Sequence, residues 1–158
     1  MRFLRQATAG QLDLGLAIVR VLTGIILAAH GAQKLFVFGL DGVAGSFGQM
    51  GIPMAGLVGP AAAFLEFFGG LVALVAGLLT RLAAFGLAVG MLGALLLVHL
   101  KAGFFLPNGH EFVLALLALL AATATLTLTG AGAYAADALL ARRRRIRRAP
   151  PRSARRAA

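Results

Sequence analysis

A few polar residues lie inside an otherwise apolar stretch near the start of the chain. His30, Gln33 and Lys34 belong to the segment HGAQKLF, residues 30–36, and Arg20 lies ten residues before His30. Imidazole, amide, ammonium and guanidinium groups can all donate hydrogen bonds to a carbonyl oxygen or to an anion. Because an isolated charge costs several kcal/mol in hydrocarbon, these side chains are expected to find partners inside the protein.

The candidate partners lie in three later apolar segments. Glu66 lies in the second segment, His99 ends the third, and Glu111 begins the fourth. At a rise of about 1.5 Å per residue, His30 and Glu66 each lie about 9 Å inside one edge, if the second span starts at Pro60. We therefore expect one polar cluster in the outer half of a helical bundle, consisting of His30, Lys34, Glu66, His99 and Glu111.

Two kinds of role are open to these side chains. In a redox site, Glu66 and His30 would carry the catalytic proton transfers, and Lys34, Gln33 and His99 would bind the substrate. In a structural network, Glu66 would pair with Lys34 or accept a hydrogen bond from His30. No set of metal ligands is expected, and haem held by two histidines on facing helices is less favoured than a quinone.

The other half of the bundle contains fewer charges. Arg20 is the third member of the expected ion-pair network, beside Lys34 and Glu66. Its partner is expected to be Asp13 or Asp137, unless the guanidinium extends to the lipid headgroups.

The elements that position these residues follow from the composition. Of the 158 residues, 60% are hydrophobic and only 13% are charged, whereas about a quarter of the residues in a soluble domain are charged. About 20 apolar residues cross a bilayer as a helix, and four segments meet that length, residues 14–36, 60–79, 82–100 and 112–129. Because these runs are continuous rather than alternating, we expect an all-α, integral membrane four-helix bundle.

The linker between the first two spans, residues 39–59, is rich in glycine. Asp41 is expected to cap a short helix whose apolar side includes Val43 and Phe47. This helix is predicted to be interfacial, lying between spans one and two. Pro60 is expected in the first turn of span two, where its missing N–H is harmless.

Small residues predict close helix contacts. Gly24 and Gly31 share one stripe of the first span with Arg20, Leu27 and Lys34, so another helix is expected to approach that face. Further glycines in the second and third spans have the same implication, and they are Gly69, Gly70, Gly77, Gly86, Gly90 and Gly93. They can line the bundle interior or a homodimer interface, and the sequence leaves both open.

Lysine and arginine positions predict the orientation in the membrane. Arg2, Arg5 and Arg81 lie on the same side of a four-span arrangement as the C-terminal tail, whereas Lys34 and Lys101 lie on the other. Because cytoplasmic loops carry the excess of these residues, both termini are expected in the cytoplasm. The expected regions are a cytoplasmic N-terminus at 1–13, the membrane domain at 14–129, a helix extension at 130–141 and a disordered basic tail at 142–158.

The basic tail favours lipid over nucleic acid as its partner. Nine of the 15 basic residues lie between Arg142 and Arg156. An arginine run directly after a membrane span fixes topology and contacts anionic headgroups, so no nucleic-acid partner is expected. The chain also has no cysteine, which excludes disulfides, thiolate metal sites and covalently attached haem.

Two segments resemble the DoxX family of small membrane proteins. They are RVLTGIILAAHGAQKLF and EFFGGLVALVAGLLTRLAA, joined by a linker that ends in GIP, and the resemblance covers about residues 14–129. The positions that carry it are Arg20, His30, Gly31, Lys34, Glu66, Gly69, Gly70, Gly77, Leu78, Thr80 and Arg81. The resemblance implies a four-helix bundle in the bacterial plasma membrane and favours a redox role, since the family is named after a subunit of a quinone-linked enzyme.

Two functions are therefore expected as alternatives. The first is an oxidoreductase subunit that binds quinone at the polar cluster and receives electrons from a redox partner protein or a small soluble donor. The second is a non-enzymatic membrane module that anchors a partner or passes a small solute, with its buried charges serving only as structural ion pairs.

Overall fold

A computed structural model describes residues 7–99 and 110–148, and within these ranges the chain is helical with no strand. Three of the α-helices continue into short π-helical segments. The elements, in chain order, are α1 Ala9–Ala32, π1 Gln33–Phe38, α2 Gly39–Gln49, α3 Ala55–Phe68, π2 Gly69–Val75, α4 Thr80–Ala94, π3 Leu95–His99, α5 His110–Thr129 and α6 Ala136–Arg148. The prediction of an all-α fold is confirmed for the described part of the chain.

Among the described residues, three helical runs are long and apolar enough to cross a membrane, and they are Ala9–Gln49, Ala55–Val75 and Thr80–His99. They contain most of the first three predicted spans. The described apolar part of α5, Val113–Thr129, has 17 residues, so the fourth span stays a prediction. The interfacial position of α2 stays a prediction as well.

The first helix begins at a polar cap and buries one narrow stripe. The Thr8 hydroxyl accepts a hydrogen bond from the Gln11 backbone N–H, while the Gln11 side chain accepts one from the Thr8 N–H. The buried residues of α1 are Arg20, Thr23, Gly24, Leu27 and Gly31. This stripe faces α3 and π2, which confirms the predicted helix-contact face.

The chain changes direction at Gly39, whose φ of +70° suits a residue without a side chain. Because α2 begins at this glycine, Asp41 lies in its first turn and does not cap it, so the predicted capping role is wrong. Val43 is the buried residue of α2, and it packs against Gly59 of α3. The short helix therefore lies beside the first half of α3.

The second membrane-length helix starts earlier than expected. α3 begins at Ala55, so Pro60 lies inside the helix and not in its first turn. A proline there removes one backbone hydrogen bond, the one that would join it to the carbonyl of Gly56.

The apolar core lies where α1, π2, α4 and α5 meet. Its buried members are Leu27, Leu74, Ala84, Leu87, Met91 and Leu126. α4 packs along α5 and against π2, and α1 packs against α3 and π2, so these helices form one bundle. The buried Thr80 hydroxyl at the start of α4 donates a hydrogen bond of 2.9 Å to the carbonyl of Ala73.

The last described helix departs from the expected boundaries. Residues 130–135 form a turn with positive φ at Gly130 and Gly132, and α6 then continues to Arg148. The predicted change from helix to disordered tail at residue 142 is therefore wrong for residues 142–148, and residues 149–158 lie outside the described ranges.

Candidate functional site

The polar centre of the bundle is an ion pair between α3 and π1. The Lys34 ammonium lies 2.5 Å from one carboxylate oxygen of Glu66 and 2.6 Å from the other. The Lys34 side chain is 18% exposed and the Glu66 side chain 9%. Both charges are thus largely removed from solvent, and each is the counter-ion that the other needs.

One aromatic ring lies beside this ion pair, and a further pair of rings joins the same two helical segments. The Phe47 ring of α2 has its centroid 5.9 Å from the Lys34 ammonium, within the range of a cation–π contact. Phe36 of π1 meets Phe67 of α3 edge to face, with ring centroids 5.6 Å apart. Phe47 was not predicted as a site residue. The available signal is its position four residues after Val43, which places both residues on the same side of α2.

Close backbone contact between α1 and the α3–π2 run determines where along the helices the ion pair forms. A Cβ added to Gly31 would overlap the backbone of Phe67, and one added to Gly24 would lie 2.8 Å from the carbonyl oxygen of Gly70. These contacts leave room only for glycine, so the two helices lie unusually close. Lys34, one turn beyond Gly31, thereby comes within reach of Glu66.

Glu66 lies about halfway along its helical run. Glu66 is 11 residues from Ala55, where α3 begins, and 9 residues from Val75, where π2 ends. At about 1.5 Å per residue, Glu66 is about 16 Å from the start of α3. The predicted depth of about 9 Å was counted from Pro60, which lies inside the helix, and the depth in the membrane stays a prediction.

The structure does not assemble the whole predicted cluster. His30 is exposed on α1 and its imidazole makes no hydrogen bond within the described ranges, and Gln33 is exposed as well. His99 is half-buried at the end of π3, where its Nδ1 lies 3.0 Å from the carbonyl oxygen of Ala94. The side chain of Glu111 lies outside what the structure describes, so only Lys34 and Glu66 are shown in contact.

Arg20 forms a second polar site almost three helical turns before His30. It is only 2% exposed. Its Nη1 donates hydrogen bonds to the carbonyl oxygens of Leu74, at 2.5 Å, and Val75, at 2.9 Å, and its Nη2 donates one of 3.0 Å to Tyr134. The carbonyls at the end of π2 have no further helical turn to bond to, and the guanidinium satisfies them.

The expected ion pair of Arg20 with an aspartate is not formed within the described residues. Asp13 accepts a hydrogen bond of 3.0 Å from the backbone N–H of Ala133, and Asp137 accepts one of 2.8 Å from that of Leu79. Both carboxylates thus fix turns next to Arg20 instead of neutralising it. The Arg20 Nε is buried and has no hydrogen-bond partner in the part of the chain that the structure describes.

The described residues contain no group of three or more histidines and acids that could hold a metal ion. At the ion pair, an ammonium and a carboxylate lie beside the Phe47 ring, with an exposed imidazole one turn away on α1. Such groups can donate hydrogen bonds to a carbonyl oxygen and can transfer protons.

Comparison with known proteins identifies the family of this chain. The DoxX family model matches residues 15–100, which include both Arg20 and the ion pair. A Bacillus subtilis (strain 168) protein named "Putative oxidoreductase CatD" is 36% identical over 94 residues, 58% of this chain. The match covers 65% of that protein, just under two thirds of its length. No solved structure matches the chain significantly.

Proposed function

The chain belongs to the DoxX family, and on that premise we propose that it is a membrane oxidoreductase subunit that binds a quinone beside the Lys34–Glu66 ion pair. The observation that carries the proposal is the pair itself, two largely buried charges, of which Glu66 lies about halfway along the apolar run Ala55–Val75. The name of the Bacillus subtilis relative, an oxidoreductase, supports the reaction class.

Quinone chemistry fits the groups that lie there. A quinone presents two carbonyl oxygens that need hydrogen-bond donors, and its reduction to a quinol consumes two electrons and two protons. The exposed imidazole of His30 and the partly exposed ammonium of Lys34 can donate to a ring that arrives from the lipid. Glu66, held by Lys34, can accept and return a proton. The electrons come from a partner protein or a soluble donor.

The proposal includes an orientation. Arg81, Arg142, Arg143 and Arg144 lie at the Arg20 end of the bundle, and lysine and arginine are enriched on the cytoplasmic side of membrane proteins. In a bacterial plasma membrane, the Arg20 end would then face the cytoplasm. Accessibility of single cysteines placed at Gly51 and at Ala141 to an impermeant thiol reagent in whole cells tests this assignment.

The test of the function is quinone reduction by the reconstituted protein in the presence of an electron donor. His30→Ala should slow the reaction about 100-fold, the usual range for loss of a general acid. Arg81→Gln, which changes an exposed cation at the opposite end, should leave the rate unchanged. The double variant Lys34→Met with Glu66→Leu replaces the charged pair with an apolar pair. Full activity in that variant and in His30→Ala would reject this site.

One observation favours a second candidate function, a non-enzymatic membrane module. Both oxygens of Glu66 are already bonded to Lys34, which is what a purely structural ion pair requires. Lipid extraction and a visible spectrum of the purified protein separate the two candidates. Co-purified quinone supports the first, whereas a colourless, quinone-free protein without activity supports the second.

A further inference from the structure

α6 is fixed to the bundle at its first turn. The backbone N–H of Ala136 donates a hydrogen bond of 3.2 Å to the carbonyl of Ala76, and that of Asp137 donates one of 3.1 Å to Gly77. The Asp137 carboxylate in turn accepts a hydrogen bond from the backbone of Leu79. Together with the bond from Arg20 to the Tyr134 carbonyl, these contacts hold the start of α6 against the end of π2.

Beyond this attachment, α6 has no extensive contact with another described helix. Leu139 is 59% exposed and Leu140 48%, and Arg142, Arg143 and Arg144 are exposed. By helical spacing, Leu139 lies next to Arg142 and Arg143 on one side. The helix therefore presents leucines flanked by arginines, and about half of each leucine remains exposed.

The surroundings of α6 indicate which surface lies within its reach. The bundle end to which it is attached carries strongly exposed apolar side chains, with Leu79 at 69%, Leu82 at 70% and Tyr134 at 63%. Apolar exposure of this kind is expected where membrane helices meet the acyl chains. α6 thus starts at the boundary between an apolar rim and an arginine-rich segment, which is where lipid headgroups lie.

We propose that α6 is a docking surface for anionic phospholipid headgroups of the membrane that holds the bundle. Leu139 and Leu140 enter the interface, and the adjacent arginines reach the phosphates with their flexible stems. The charge complementarity supports this occupant, since three exposed arginines of α6 belong to a run that holds nine of the 15 basic residues of the chain. The inference does not depend on the proposed redox function.

The absence of cysteine from the chain allows a direct experiment. A single cysteine replaces Leu139 and carries an environment-sensitive fluorophore, and the full chain is placed in nanodiscs of phosphatidylcholine with or without phosphatidylglycerol. A second label at Ala141 is the matched control, because it lies about 200° around the helix from Leu139. The fluorophore at position 139 should shift to the blue only with phosphatidylglycerol, salt should reverse the shift, and the fluorophore at 141 should not respond.

Neutralising the arginines supplies the second measurement. Arg142→Gln, Arg143→Gln and Arg144→Gln are combined in one variant. The equilibrium constant for docking of α6 on phosphatidylglycerol, read from the blue shift, should fall about 100-fold, at about fivefold for each arginine near an anionic surface. An equal blue shift in both lipid compositions would overturn the proposal, because apolar insertion alone would then explain it. A fluorophore that stays in water in both lipids but responds to added duplex DNA would also overturn it and would assign the surface to a polyanion.

Discussion

Both carboxylate oxygens of Glu66 are hydrogen-bonded to the Lys34 ammonium, at 2.5 and 2.6 Å, across the contact between α3 and π1. A buried ion pair of this kind stabilises little compared with an apolar pair, because both ions lose their hydration. Removing one partner is different, since the other charge remains in an apolar interior without a counter-ion.

Glu66→Gln should therefore destabilise the protein by about 3 kcal/mol, the low end of the cost of breaking a buried pair. The shape of the side chain is kept, so the loss reports the stranded ammonium of Lys34 and not a cavity. Thermal unfolding in detergent measures it. The double variant Lys34→Met with Glu66→Leu should regain most of the stability, and a Glu66→Gln protein as stable as the parent would contradict the pairing.

Gly31→Ala should destabilise the bundle by at least about 2 kcal/mol, as is typical when an added methyl overpacks a core. The new Cβ would overlap the backbone of Phe67, which cannot move aside as a flexible side chain can. Gly15→Ala is the matched control in the same helix, because nothing lies within 4 Å of that position. It should be neutral or stabilise by up to about 1 kcal/mol. Equal effects of the two substitutions would argue against the close contact.

Helical periodicity predicts much of this contact but not the whole site. The spacing of Arg20, Gly24, Leu27 and Gly31 identifies the buried face of α1 because these positions recur at intervals of three and four residues. His30 lies one residue from Gly31, about 100° around the helix, and is exposed. Equal depth along the bundle therefore does not bring two side chains together unless they also lie on facing sides.

Tertiary context determines the rest. The sequence offers two carboxylates to Arg20, yet the guanidinium bonds to backbone carbonyls of π2 and of the turn before α6. Which carbonyls are free depends on where a helix ends, and helix ends are the least certain part of any sequence-based assignment. The π-helical segments could not be predicted either. The composition of residues 33–38 does not distinguish a wide π-helical turn from an ordinary α-helical one.

Arg20→Met should cost about 2 kcal/mol or more, because it leaves three carbonyl oxygens without their donor. It should also loosen the attachment of α6, so trypsin should cleave after Arg142 faster than in the parent protein. Arg81→Gln is the control: its Nε bonds to the Thr127 carbonyl at an exposed site, and the loss should stay below about 1 kcal/mol. Unchanged stability and unchanged cleavage in Arg20→Met would show that the carbonyl contacts are dispensable.

The position of α2 beside α3 can be tested by cross-linking in a chain that has no cysteine of its own. A Cβ at Gly48 would lie 3.9 Å from the Cβ of Ala55, within the separation of about 3.5–4.5 Å that a disulfide requires. Gly48→Cys with Ala55→Cys should therefore form a disulfide on mild oxidation, detected as protection from a maleimide. Gly45→Cys with Ala55→Cys should stay reduced, because nothing lies within 4 Å of Gly45. Cross-linking of both pairs, or of neither, would mean that α2 does not hold Phe47 beside the Lys34 ammonium as the structure has it.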